Sequence, residues 1–303
     1  MRLAKGTRTQ YLRDIDAWIA FAGPDPAGWT RYRAQEFYGD LLTHMKAQSA
    51  NRVLAAVAHA SSWWAKKENR PELHFAVVQM AKDDEVEPRR ALTIEEAQEL
   101  LATCATDSPI DLRDRAMFVV GLETGMRRMS LAGMALEAIK NSRDGYPVAA
   151  VPIKGSGESL FPVPLSDTAI VALTPWRNWL RKQKITQGPV FRGLKRQIAR
   201  GAGKLEYTVG EGLSLVSIYK IVERRAKKAG LDSIHPHIFR NTFITWRMQA
   251  GLTPYQIAAI TGHKMANLPG LAGMGVYIDA ARLGDEARKS TPAWLKNTVL
   301  PPR

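Results

Sequence analysis

The segment HPHIFRNTF, residues 235–243, contains side chains well suited to chemistry on an anion. His237 and Arg240 are three residues apart, a spacing that places both on one side of a helix. Backbone amides at a helix N-terminus also favour an anion, so the pair suits a phosphate. His-x-x-Arg is a weak signal by itself, because a basic chain of this kind contains one by chance roughly half the time. A capped helix with an exposed arginine is the alternative interpretation.

Further candidates flank this segment. Upstream, ETGMRRMSLAGM contains Arg127 after a Thr-Gly pair. The stretch VPIKGSGESLFPVPL predicts a β-hairpin, with Lys154 just before its turn. Downstream, TGHKMANLPGLAGMGVYIDA contains His263 and Tyr277, and no tyrosine follows His263 except Tyr277. The order along the chain is therefore Arg, Lys, His-x-x-Arg, Gly-His and Tyr.

This ordered set of motifs resembles the tyrosine recombinases, also called the phage integrase family. The resemblance covers nearly the whole chain. It implies one catalytic set, which consists of Arg127, Lys154, His237, Arg240, His263 and Tyr277. It also implies that Tyr277 is the nucleophile and that Arg127 and Arg240 bind the phosphate.

The chemistry of the residues agrees with these implied roles. A phenol has a pKa near 10, so Tyr277 needs its proton removed or its product stabilised. Two guanidiniums can offset the charge that builds on the phosphate, helped by a hydrogen bond from His263. Lys154 is the candidate general acid for the leaving 5′-hydroxyl. His237 is the candidate base, or a proton relay. No metal is expected, because the two guanidiniums can offset the phosphate charge, and no ATP, because the 3′-phosphotyrosine keeps the bond energy. No cofactor is expected.

Several of these assignments have a plainer alternative. Arg128, adjacent to Arg127, is a second arginine that could bind backbone phosphate. Lys154 could be an exposed turn residue, and Tyr277 or His263 could belong to a core. A His-x-His metal pair formed with His235 is a further alternative, but no cysteine or suitably spaced carboxylate accompanies it.

The sequence departs from the family pattern in two places. The position three residues after Arg127 is usually acidic in the family and here is Ser130. Support for the arginine must then come from elsewhere or be weaker. The family's tyrosine usually follows the Gly-His histidine by about nine residues. Tyr277 follows His263 by fourteen, which suggests a longer loop before the tyrosine helix.

The elements that must position these residues are mostly helical. Apolar spacing predicts a helix that begins within about ten residues of Met1, a second from Thr30 to about Lys46, and a third over 51–69. Thr93 and Glu96 form a predicted capping box. A buried helix is predicted over residues 111–122. A β-hairpin is predicted with strands over 147–153 and 160–165, and the chain is expected to be helical again from Ser166.

The expected fold is mainly α with a small β-hairpin or sheet. The expected domains are 1–82, helical; 83–91, a linker; and 92–303, a mixed α+β domain. The resemblance makes the first a core-DNA-binding domain and the second a catalytic domain. It also implies a C-terminal tail, about 280–303, that docks through Trp294 and Leu295 on a neighbouring protomer. Packing on the chain's own surface is the alternative.

The charge of the chain points to a polyanionic partner. The net charge is +14, and residues 177–228 hold fourteen Lys and Arg against three Asp and Glu. Ribosomal or membrane-surface attachment would give a similar charge, but no membrane partner is expected, and a solvated helix surface could account for the local excess. One cysteine fits a reducing cytoplasm, and neither a signal peptide nor a membrane span is evident.

The expected function is therefore site-specific recombination of double-stranded DNA by a homo-tetramer that is a monomer when free. We expect a cytoplasmic, nucleoid-associated enzyme of prokaryotic, phage or mobile-element origin with a compact Xer- or Cre-like layout. A type IB topoisomerase and a catalytically inactive DNA-binding regulator are the alternatives.

Overall fold

The computed structural model describes residues 5–69, 90–105, 108–142, 145–152, 159–198, 205–232, 234–262 and 291–299. The chain divides into two compact units, Met1–Pro88 and Arg89–Arg303, here called the N-terminal unit and the C-terminal unit. Most of the predicted linker lies outside the described residues, so the predicted domain boundaries stay predictions. Within the described ranges, none of the helices combines the length and the hydrophobicity needed to cross a bilayer.

The described part of the N-terminal unit is helical, as the apolar spacing predicts. Its helices are α1 (Lys5–Ala22), α2 (Arg31–His44) and α3 (Ala47–Lys67). Trp18 is fully buried, and its ring meets those of Trp29 and Phe37 edge-on at centroid distances of 5.9 and 5.3 Å. These aromatic contacts form the centre of the unit's core.

Helix α5 lies at the centre of the C-terminal unit. The helices here are α4 (Ile94–Ala102), α5 (Pro109–Thr124), α6 (Arg128–Ala132), α7 (Asp167–Lys182), α8 (Leu215–Lys228), α9 (His237–Gln249), α10 (Pro254–Thr261) and α11 (Ala293–Val299). Helix α5 is buried along most of its length and packs against both α7 and α9. The predicted capping box of Thr93 and Glu96 is present at the start of α4.

The predicted β-hairpin is confirmed and is part of a larger sheet. Strands β2 (Pro147–Pro152) and β3 (Leu160–Pro164) pair antiparallel, and β1 (Ile139–Asn141) adds to the other edge of β2. The mainly helical fold with a small sheet is therefore confirmed.

The expectation of helix throughout the region after Ser166 is wrong for one stretch. Strands β4 (Arg192–Ile198) and β5 (Leu205–Gly212) form a second antiparallel hairpin between α7 and α8. Leu194 and Val209 are partners in this hairpin and pack against the core, whereas Lys195 is exposed. Basic side chains and glycines obscure this alternation in the sequence, so its period of two was missed.

The C-terminal segment packs on its own unit within the described residues. Leu295 is fully buried in the core of the C-terminal unit. The ring of Trp294 meets that of Trp246 on α9 at 5.4 Å, nearly perpendicular. These contacts match the alternative interpretation of the tail, and docking on a neighbouring protomer stays a prediction.

Candidate active site

Arg127 is positioned by the sharp end of α5. Gly125 caps this helix with a left-handed φ of 58°. A side chain there would be strained, and its Cβ would lie 2.7 Å from a ring carbon of Phe243, so glycine is required. The Thr124 hydroxyl accepts a hydrogen bond of 3.2 Å from the Met126 amide and fixes the following turn. Arg127 then stands at the N-cap of α6.

His237 and Arg240 lie on the first turn of α9, as their spacing predicts. The helix is anchored by Phe239, which is fully buried and contacts Phe118 of α5 at 5.3 Å between ring centroids. The backbone of α5 approaches this ring at Gly121, where an added Cβ would be 3.0 Å from Phe239. Arg240 is buried and His237 is exposed.

Main-chain carbonyls hold the Arg240 guanidinium. Nη1 donates to Gly125 O at 2.8 Å and to Thr261 O at 3.2 Å, and Nη2 donates to Thr261 O at 3.3 Å. Thr261 ends α10, and Gly262 caps that helix with a left-handed φ of 63°. Arg240 therefore joins α9 to the ends of α5 and α10, which carry the two Thr-Gly pairs of the sequence.

Arg127 and Arg240 are close enough to affect each other electrostatically. Burial lowers the pKa of Arg240 to about 9, and repulsion from Arg127 adds to this shift. Burial also lowers the pKa of Arg127. Two guanidiniums that are partly removed from water and repel each other favour an anion between them.

Arg127 and His237 line a shared cleft of about 500 Å³. Arg128, Tyr219 and His235 also line it, and none of them belongs to the predicted catalytic set. Tyr219 lies on α8 and is 39% exposed. The signal that the sequence offered for Tyr219 was an aromatic residue next to Lys220 within a basic stretch. The rings of His235 and His237 are 6.4 Å apart. Across the described ranges, no group of three or more His, Cys, Asp or Glu side chains is arranged to hold a metal.

The structure brings together three of the six predicted residues: Arg127, His237 and Arg240. The other three predicted residues, Lys154, His263 and Tyr277, lie outside the described residues, so their positions stay predictions.

Solved structures of DNA recombinases share this fold. The post-cleavage complex of the XerH site-specific recombinase with palindromic difH substrate gives a TM-score of 0.63 at 17% identity, over 93% of this chain and 78% of that chain. A lambda integrase(75-356) dimer bound to a COC' core site gives 0.62 at 18% identity, over 88% of this chain and 91% of that chain. The shared architecture is that of the tyrosine recombinases.

Sequence comparison identifies the family. The pattern of the Phage integrase family matches residues 90–268, more than half of the chain. The chain belongs to the phage integrase family. Tyrosine recombinase XerD of Proteus mirabilis is 26% identical over 270 residues, 86% of this chain and 80% of that protein. Tyrosine recombinase XerC 2 of Ralstonia nicotianae is 26% identical over 271 residues, 84% of this chain and 72% of that protein. The predicted family is therefore confirmed.

Proposed function

We propose that the protein is a site-specific DNA recombinase that cleaves and rejoins strands through a 3′-phosphotyrosine. The observation that carries this proposal is the meeting of Arg127, His237 and Arg240 in a member of the phage integrase family. Arg127 comes from the start of α6, and His237 and Arg240 come from the first turn of α9. A position where two cations and an imidazole converge suits a phosphodiester better than it suits a neutral substrate.

In the proposed reaction, the Tyr277 oxygen attacks the scissile phosphorus, and the bond from phosphorus to the 5′-oxygen breaks. The phenol proton passes to a base, for which His237 is the candidate, and the leaving 5′-oxygen takes a proton from Lys154. A 5′-hydroxyl of another strand then attacks the phosphotyrosine and restores the diester. The number of phosphoester bonds is unchanged, so the cycle needs no ATP.

The arginines stabilise the charge of the transition state. Arg240 is preorganised, because its hydrogen bonds to Gly125 and Thr261 fix the plane of its guanidinium before DNA arrives. Arg127 approaches from the start of α6, and His263 is proposed to donate a further hydrogen bond. Two fixed cations can perform this role without a metal ion.

Double-stranded DNA is the proposed partner, and a homo-tetramer is proposed to hold two duplexes together. The net charge of +14 supports binding to DNA. The XerH and lambda integrase structures show those two proteins bound to DNA. Association with the nucleoid would follow from this partner.

Covalent capture tests the proposal and selects the DNA site in the same experiment. The protein is incubated with a pool of nicked duplexes of randomised sequence, and adducts that survive denaturation are isolated and sequenced. We expect wild type to capture an enriched sequence, because a nick allows the short cleaved strand to diffuse away. Tyr277→Phe should capture none, since it lacks the attacking oxygen.

Tyr255→Phe is the matched control, because Tyr255 is an exposed tyrosine on α10. It should capture DNA as wild type does. Adducts formed equally by Tyr277→Phe would refute the assignment of the nucleophile, and absence of adducts from wild type would favour the inactive regulator. Two-site recombination and plasmid relaxation assays on the captured sequence then separate a recombinase from a topoisomerase.

A further inference from the structure

Ser130 occupies the position that is usually acidic in the family, and its hydroxyl has a specific acceptor. Ser130 is buried, with 2% of its surface exposed. Ser130 Oγ donates a hydrogen bond of 2.7 Å to the main-chain oxygen of Pro152. This bond links α6, the helix that starts beside Arg127, to the end of strand β2. A carboxylate at this position could not donate it, so position 130 works here with the opposite hydrogen-bonding polarity.

Pro152 is also held on its ring side. Gly133, the C-cap of α6, lies so close to it that an added Cβ would be 2.5 Å from Pro152 Cγ. Pro152 pairs with Leu160 at the end of the β2–β3 ladder. Helix α6 therefore fixes both the carbonyl and the ring of the last residue of β2. Lys154 follows two residues later in the chain.

We propose that Ser130 is a positioning residue, which fixes the end of strand β2, two residues before Lys154, to the helix that Arg127 caps. The inference rests on the proposed function, because Lys154 is its candidate proton donor. Ser130 sets the distance between the group that binds the phosphate and the group that protonates the leaving oxygen. Loss of its hydrogen bond should therefore impair proton delivery more than phosphate binding.

Three substitutions at position 130 distinguish a residue that fixes the end of β2 from one that orients Arg127. Ser130→Ala removes the donor, and we expect the rate of covalent adduct formation to fall roughly tenfold. Ser130→Thr keeps the donor and should stay within about threefold of wild type. Ser130→Asp places an acceptor against the Pro152 oxygen and should be less active than Ser130→Ala. If position 130 instead oriented Arg127, Ser130→Asp should equal or exceed wild type.

A substrate with sulfur in place of the leaving 5′-oxygen provides the decisive measurement. A thiolate leaves without being protonated, because thiols are far more acidic than alcohols. The defect of Ser130→Ala, like that of Lys154→Ala, should then nearly disappear on the sulfur substrate. Ser166→Ala is the matched control, since the Ser166 hydroxyl caps α7 and its loss should act equally on both substrates.

The outcomes distinguish the two proposals. Wild-type adducts together with an equal Ser130→Ala defect on oxygen and sulfur substrates would overturn the positioning role and leave the recombinase proposal intact. A Ser130→Asp variant as active as wild type would also overturn it. Absence of wild-type adducts on both substrates would overturn the proposed function and this inference with it.

Discussion

Arg225 and Arg240 are both buried in the C-terminal unit, but their charges are balanced in different ways. Arg225 on α8 donates to the carboxylates of Asp111 and Asp114 on α5, at 2.5 and 2.7 Å. Burial, the largest single effect, lowers the pKa of Arg225, but Asp114, Cys104 and Asp111 together outweigh burial and raise it. The hydrogen bonds described above for Arg240 run to neutral carbonyls, and its neighbour Arg127 lowers its pKa.

Because Arg225 donates to carboxylates and Arg240 donates to carbonyls, Arg225 has a structural role, whereas Arg240 is suited to bind an external anion. The charge of Arg225 is neutralised within the protein, so it ties α8 to α5. The guanidinium of Arg240 is oriented by carbonyls, and its positive charge is reinforced by Arg127. Arg247 is an intermediate case: it pairs with Glu123, yet burial keeps its pKa below the ordinary value.

Replacement of Arg225 should give the largest effect, and on stability. Arg225→Met leaves Asp111 and Asp114 buried without this partner, so we expect a loss of about 3–5 kcal/mol in the free energy of unfolding. Urea denaturation measures it. Lys220→Met is the matched control, because Lys220 is an exposed cation on the same helix and its loss should change stability by less than about 0.5 kcal/mol. Equal losses in the two variants would contradict the structural role.

Replacement of Arg240 should act on chemistry. Arg240→Lys keeps a charge but loses the planar fork, so adduct formation should fall about 10²–10³-fold, or roughly 2.7–4 kcal/mol of transition-state stabilisation. Single-turnover kinetics on the captured DNA site measure it. Arg247→Lys, seven residues later on the same helix, is the control and should keep most of the rate per folded molecule. Comparable rate losses in Arg240→Lys and Arg247→Lys would contradict a role in chemistry that is specific to Arg240.

Replacement of Glu123 tests the buried ion pair between Arg247 and Glu123. Glu123 accepts a hydrogen bond from Arg247 at 3.1 Å and one from the Thr291 hydroxyl at 2.6 Å. Glu123→Gln keeps the shape but removes the charge, and should cost about 1–3 kcal/mol of stability. Because Thr291 precedes α11, hydrogen exchange in α11 should also speed up. The exposed Glu223→Gln on α8 should change neither measurement.

An added anion should give the smallest effect. The folded pKa of Arg240, about 9, lies below its ordinary value. Its charged form therefore opposes folding below that pH, and this cost is lost as pH rises above it. Sulfate at about five times its Kd should stabilise wild type by about 1 kcal/mol at pH 7.5, roughly 2–4 °C in Tm. Chloride of equal ionic strength is the control, and an equal gain in Arg240→Gln would contradict the anion site.

Local patterns in the sequence predicted much of the candidate site. The His-x-x-Arg spacing requires only that residues 237–240 be helical, and they are. The Thr93 capping box and the β2–β3 hairpin also depend on residues close together in the chain. Spacing could not show that Arg240 would be bonded to Gly125, which is 115 residues away.

Charge counting was less informative than spacing. Arg225 belongs to the basic excess over 177–228 that pointed to a polyanion, yet it is buried and paired with carboxylates. Arg192 belongs to the same excess, and its guanidinium donates to the carbonyls of Pro189, Gly210 and Gln187. A count of charges cannot separate such residues from those available to DNA, because it contains no information on which of them the fold buries.

The sequence by itself predicted the family and the mainly helical fold, because these follow from motif order and from spacing within short segments, and the resemblance to the family supplied the six candidate residues. Only the tertiary structure decided that Arg240 bonds to the ends of two other helices and that Arg225 is structural. It also decided that Ser130 donates to Pro152, twenty-two residues away. Such contacts depend on which distant segments pack together, and packing depends on the shape of the whole core rather than on local pattern.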